Sequence, residues 1–125
     1  MEEQAVRTML QKHLAETDAD VAHEMYHEDA VLEFPQSGER FEGVENFREW
    51  RRIYPAEVDY DLRRIRGRDD LWVIELVATY DDGPLNYGVA IYEFRGDKVS
   101  HESIYVAEGW EAPEWRAQWR AAEQG

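Results

Sequence analysis

The sequence has no cysteine among its 125 residues, which excludes disulfides, thiolate nucleophiles and cysteine-ligated metals. No segment approaches ~18 consecutive apolar residues, so no membrane span is expected. The opening MEEQAVRTML lacks the basic start and apolar centre of a secretory signal, which makes the cytoplasm the expected location. Basic residues are scarce, with 14 Lys plus Arg against 28 Asp plus Glu and a formal net charge of -14. Such a surface repels phosphate backbones and anionic lipid, so neither nucleic acid nor a membrane is an expected partner. There is no glycine-rich phosphate loop and no HExxH, and neither a cofactor nor a metal is assigned.

Aromatic residues, by contrast, are plentiful: 5 Trp, 7 Tyr and 4 Phe within an apolar fraction of 43%. That content suits one packed core rather than a disordered acidic chain. A single domain is expected over residues 1–125, with 108–125 as a C-terminal packing tail. Val6, Met9, Leu10, His13 and Leu14 recur at helical steps and predict a helix over 3–15. A second helix, capped by Asp18 or Asp20, is expected through Ala22 and Met25 to Tyr26. Val31–Phe34 reads as a strand ended by Pro35, Ser37 and Gly38, and a short extended piece surrounds Arg40 and Phe41. Phe47, Trp50 and Tyr54 mark a third helix over about 44–53, stopped by Pro55. Four strands follow, at about 57–65, 71–80, 86–95 and 98–107, with turn signals at Gly67, Asp82–Gly83 and Gly96–Asp97. Short connections imply antiparallel neighbours. The result is an α+β domain with helices on one face of a curved antiparallel sheet.

Two stretches carry a family resemblance. MYHEDAVLEFPQSGERFEGVENFREW resembles the signature of SnoaL-like proteins of the nuclear transport factor 2 (NTF2-like) superfamily. GDKVSHESIYVAEGWEAPEWRAQW resembles the last strand and tail of uncharacterised members. The resemblance implies a cone-shaped fold with an internal cavity, but it leaves function open, because the superfamily spans isomerases, epoxide hydrolases, cyclases, dehydratases and non-catalytic proteins. It also marks absences. The general-base aspartate of the ketosteroid isomerases falls at Phe34, and their two oxyanion-facing groups fall at Leu10 and near Ala90. The Asp-Arg-Asp arrangement of limonene epoxide hydrolases falls at Leu76, Ala78 and Ile104.

Period-2 alternation in the family register turns Leu32, Phe34, Trp72, Ile74, Leu76, Ala78, Tyr80, Asn86, Gly88, Ala90, Tyr92 and Phe94 inward. On the last strand Glu102, Ile104 and Val106 are expected inward, and Val99, His101, Ser103 and Tyr105 outward. Both faces there mix polar and apolar groups, so a one-residue slip would present His101 in place of Glu102. Burial among aromatics would favour a proton on Glu102 and suit it to general acid–base work. Arg51 is its candidate partner, through a bidentate pair that would instead make the carboxylate a fixed part of the wall. The expected ligand pocket comprises Phe34, Trp50, Arg51, Tyr54, Trp72, Tyr92 and Ile104, with Glu102 as the candidate catalytic residue.

Tyr26, Tyr54, Tyr80 and Tyr92 could each present a phenol to a ligand oxygen, or simply fill the core. His13 lies on the apolar side of the first helix. His23 and His27 stand at metal-binding spacing, but where a helix ends. His101 and Ser103 share the outward face and have no third member of a nucleophilic triad. The expected function is therefore binding of a small hydrophobic molecule, with acid–base conversion of the isomerase, cyclase, dehydratase or hydrolase type at Glu102. The alternative is a non-catalytic dimeric binding or interaction domain. The outward face carries Val73, Val77, Val89 and Ile91 and is expected to form a homodimer burying ~800 Å2 per partner. The tail, with Trp115 and Trp119 four residues apart, is expected to pack over the domain or across the dimer seam.

Overall fold

The computed structural model describes residues 2–122. Helix α1 (Glu3–Ala15) buries Val6 and Leu10, one helical turn apart. A single-turn helix α2 (Ala19–Ala22) starts where the Asp18 side chain accepts from the Asp20 N–H. The 3-10 turn His23–Met25 leads directly into strand β1 (Tyr26–Phe34), followed by β2 (Glu39–Glu42) and helix α3 (Val44–Arg52). Strands β3 (Val58–Arg68), β4 (Leu71–Tyr80), β5 (Asn86–Arg95) and β6 (Lys98–Glu108) complete a six-stranded sheet of order β2-β1-β6-β5-β4-β3.

Helices sit over the inner face of this curved sheet, giving the expected α+β architecture. The sheet is mixed, however, because β1 pairs with β6 in parallel while every other pair is antiparallel. Short turns do impose antiparallel neighbours, but β1 reaches β6 through everything between them, and that length permits a parallel return.

The second helix stops earlier than its pattern suggests. Tyr26 is already in the sheet, opposite Val99 of β6. His27 donates to the Arg95 carbonyl at 2.6 Å, and Asp29 pairs with Arg95 at 2.7 Å. These long-range contacts hold residues 26–30 extended, so the strand starts at Tyr26, where a helix end was expected, and not at Val31.

The inner row nearest α1 crosses all six strands as Gly67, Trp72, Tyr92, Glu102, Leu32 and Phe41. Gly67 is not the turn between β3 and β4. That turn lies at Asp69–Asp70, with Asp69 in the left-handed region at φ 56°. A Cβ on Gly67 would clash with the Leu71 carbonyl oxygen and sit 2.5 Å from the Trp72 ring, so the missing side chain makes room for the indole. Above that ring lies the Arg7 guanidinium, 5.4 Å from its centre, and Arg7 also donates to the Ile65 carbonyl at 2.7 Å. One arginine thereby fastens α1 to the sheet.

A bulge in β6 fixes the register. Phe94 pairs with Val99, whereas Glu93 pairs with His101, leaving Ser100 as the additional residue. Val99 is therefore buried and faces inward rather than outward as its alternation suggested. After the bulge the strand presents Glu102 inward and His101 outward, between Glu33 at 3.3 Å and Glu93 at 3.1 Å.

Gly67→Ala should destabilise the fold by about 1–3 kcal/mol, because backbone atoms must move to admit the methyl group. Urea denaturation measures this, and an unchanged midpoint would show that β3 yields freely.

Candidate functional site

Glu102 is 2% exposed and lies where the helices and the sheet meet. Tyr26 donates its hydroxyl hydrogen to Glu102 Oε1. Arg51 on α3 approaches the other carboxylate oxygen, with Nη2 at 3.9 Å from Oε2. The same guanidinium places Nη1 at 3.5 Å from the Tyr26 hydroxyl and 2.9 Å from His23 Nε2. His13 Nε2 lies 3.4 Å from the Tyr26 oxygen. Tyr92 stands directly opposite Glu102 in register. A buried carboxylate needs compensation, and Tyr26 supplies a hydrogen bond while Arg51 supplies an opposite charge.

The histidine tautomers follow from the backbone. His13 Nδ1 meets the Ala22 carbonyl at 2.9 Å, and His23 Nδ1 meets the Ala19 carbonyl at 2.6 Å. A carbonyl only accepts, so each Nδ1 carries the hydrogen and each Nε2 is left as an acceptor. His23 Nε2 accepts from Arg51 in just this way. Burial, reinforced by the Arg51 charge, pushes His13 from 6.5 to about 3 and His23 to about 4. Both rings are neutral around pH 7. Burial and the Glu102 charge push Tyr26 and Tyr92 well above 10, so both phenols keep their hydrogens. Burial opposes the charge on Arg51, but Tyr26 and Glu102 outweigh it and raise its pKa.

Farther along the strands, the inner face is less completely covered. Leu76, Ile104 and Phe34 are half-buried, whereas Ile74, Ala90 and Leu32 are buried. An aromatic chain borders this open end. Phe34 lies 5.8 Å from Trp50, Phe41 5.5 Å from Trp50, Trp50 6.4 Å from Tyr54, and Tyr54 6.1 Å from Tyr80. Trp50 Nε1 is buried with no hydrogen-bond partner among the described residues. Arg51, 21% exposed, follows Trp50 in α3 and carries the wall down to Glu102.

The structure thus brings Glu102, Arg51 and Tyr92 together, and groups Phe34, Trp50 and Tyr54 at the open end. Trp72 does not reach either group. It lies in the Glu102 row, two strands away, closed off under Arg7. Its indole N–H donates to the Asp69 carbonyl at 3.0 Å.

Sequence reasoning undervalued Tyr26, which it left at a helix end, and His23, which it paired with His27. His27 instead points to Arg95 from β1, and among the described residues no group of three His, Asp or Glu side chains could hold a metal ion. Phe41 and Tyr60 were also missed as possible wall residues. Tyr60 is half exposed, its pKa raised first by burial, with Arg51, Glu102 and Tyr54 among the charges it feels. The period-2 relation of Tyr60 to Val58 and Leu62 was the available signal. Leu10 and Ala90 are buried and Phe34 is half-buried.

A cone of helices in a curved sheet around a buried polar cluster defines an NTF2-like protein, and the comparisons agree. A family model described as the SnoaL-like domain matches residues 6–102. The chain belongs to this SnoaL-like family. An NTF2-like protein of unknown function from Burkholderia xenovorans LB400 is 38% identical, with 99% of each chain covered and a TM-score of 0.90. A putative ketosteroid isomerase from Kribbella flavida is similar at 20% identity, 95% of this chain and 90% of that one, with a TM-score of 0.82. A limonene-epoxide-hydrolase-like enzyme of M. tuberculosis is 17% identical over 83% of this chain and 80% of its own, with a TM-score of 0.66. The last two likenesses show the fold alone. A search of curated proteins by sequence gave no match.

Stability should fall as the medium is acidified below the usual histidine range. His13 and His23 stay neutral in the folded chain until about pH 3 and 4, while in the unfolded chain they bind protons below 6.5. The unfolded state then holds more protons, and stability rises with pH across that window. The loss between about pH 7 and about pH 5 in urea midpoints should be smaller in His13→Gln than in the parent. Equal losses would mean that His13 is not held neutral.

Proposed function

We propose that this chain binds a small hydrophobic molecule bearing an oxygen function at the aromatic open end of the cone, and that Glu102 handles a proton in its conversion. The observation that carries this reading is Trp50 Nε1, a buried donor without a partner among the described residues, in a wall of half-buried rings. An unpaired buried N–H is costly, and a ligand oxygen would satisfy it. Phe34, Tyr54 and Ile104 would supply apolar contact, and Arg51 and Tyr92 would orient polar atoms near Glu102. The reaction class is acid–base conversion, as in an isomerase, cyclase, dehydratase or hydrolase. The apolar Leu10, Phe34 and Ala90 set it apart from proton abstraction with the residues of the ketosteroid isomerases.

A second reading has its own support. Glu102 is already engaged by Tyr26 and Arg51, which suits a structural carboxylate in a non-catalytic binding protein.

Native mass spectrometry of freshly purified protein tests for a retained molecule, and a panel of terpenoid and aromatic alcohols, ketones and epoxides supplies probes. Trp50→Phe should weaken binding of an oxygen-bearing probe by roughly 5- to 30-fold and leave a hydrocarbon analogue unaffected. Glu102→Gln should retain binding and lose conversion by about 100-fold or more. Conversion that survives Glu102→Gln would discard the acid–base role and leave the binding reading. Failure of every probe to bind would discard both.

A further inference from the structure

The Tyr26 hydroxyl has one hydrogen and two acceptors near it. Glu102 Oε1 takes that hydrogen, while His13 Nε2 stands 3.4 Å from the same oxygen. His13 has no hydrogen of its own to offer there, because the Ala22 carbonyl holds its N–H on Nδ1. The rings of His23, Tyr26 and Tyr92 surround His13 at 5.7–6.4 Å between centres. His23 Nε2 already faces an Arg51 donor at 2.9 Å. Of the two neutral rings, only His13 is therefore left with an acceptor that receives no hydrogen from the described residues. An enclosed acceptor is costly to leave unpaired, and the charged state of Glu102 gives this one no use.

We propose that His13 serves the uncharged state of Glu102: when the carboxylate takes a proton, the Tyr26 hydroxyl reverses, accepting from Glu102 and donating to His13 Nε2. This rests on the reading of Glu102 as the proton-handling group. The substrate bond to the hydrogen breaks, the proton joins the carboxylate, and the electron pair stays on the substrate. Arg51 can only donate, so the neutral acid keeps its bare oxygen, Oε2, toward Arg51 and carries the proton on Oε1, against Tyr26. The Tyr26 O–H then turns to His13 without its bond breaking, and His13 stays neutral. One O–H rotation, with a small closing of the 3.4 Å gap, pairs the group in both charge states. That suits a side chain which takes a proton and returns it.

The surroundings favour reversal over transfer. The ionisable groups around Glu102 are Arg51 of α3, Tyr26 of β1, Tyr92 of β5 and Tyr60 of β3, with His23 and His13 behind Arg51 and Tyr26. Burial and the Arg51 charge hold both histidines neutral, and the buried phenols keep their hydrogens. None of these groups takes the proton away from Glu102, so Tyr26 and His13 are positioning residues. A purely structural Glu102, permanently charged, would have no need of the His13 acceptor.

Nitrogen NMR of the full chain with isotope-labelled histidine, at about pH 7, reads the His13 Nε2 hydrogen bond, and loss of the signal in His13→Gln assigns it. The parent should show a free Nε2. Glu102→Gln copies the neutral acid, since its amide oxygen turns to Arg51 and its NH2 to Tyr26. In that variant the Nε2 resonance should move upfield to that of a hydrogen-bonded acceptor, short of an imidazolium. Glu102→Gln/Tyr26→Phe should return it to the parent value. Tyr26→Phe alone should leave it unmoved, which tests the proposal even where Glu102→Gln fails to fold. A parent Nε2 already hydrogen-bonded, a shift in Tyr26→Phe alone, or no shift in Glu102→Gln would each overturn the proposal. None of these readings needs a substrate, so their failure is distinct from conversion that survives Glu102→Gln.

Discussion

A single buried carboxylate organises this molecule. Glu102 on β6 receives the Tyr26 hydrogen from β1 and faces Arg51 of α3. Through Arg51 it is linked to His23 after α2, and the His13 ring of α1 packs edge-on against Tyr26. Tyr92 closes the group from β5. An unpaired charge would be costly at this depth, so the elements that provide its partners are bound to one arrangement. The cluster is a polar clasp within an otherwise apolar core, and the aromatic wall begins at its edge.

Backbone detail sets what the clasp can use. The bulge at Ser100 lets both Val99 and Glu102 face inward, although regular alternation would separate them. Without that additional residue, either Val99 would leave the core or the carboxylate would turn to the outer face. Gly67 does comparable work at the other end of the row by leaving space for Trp72. Each departure from regular strand geometry serves one large or charged side chain at the closed end of the inner face.

Much of the fold was legible in local pattern. Helix α1, helix α3 and strands β4, β5 and β6 follow from periodicity and turn residues to within about a residue or two. The parallel pairing of β1 with β6 was not legible, because it joins segments far apart in sequence. The same is true of the start of β1 at Tyr26, where a helix end was expected, because contacts with Arg95 and Val99 hold residues 26–30 extended. At the site, Glu102 and Arg51 could be singled out from alternation and helix position. Tyr26 and the two histidines could not be given their places, since their partners come from other elements.

The sequence by itself determined the element types, the inward aromatic content, the absence of thiol chemistry and the strongly acidic surface. Those properties depend on residue identity and on spacings of two to four residues. Tertiary structure decided which face of β6 carries the carboxylate, that neutral histidines surround it, and that Trp72 is a core residue under Arg7 while Trp50 borders the open end. It also decided that the tail indoles stand uncovered. These outcomes depend on bulges and long-range pairings, and the energy that selects them arises only when distant segments exclude water together.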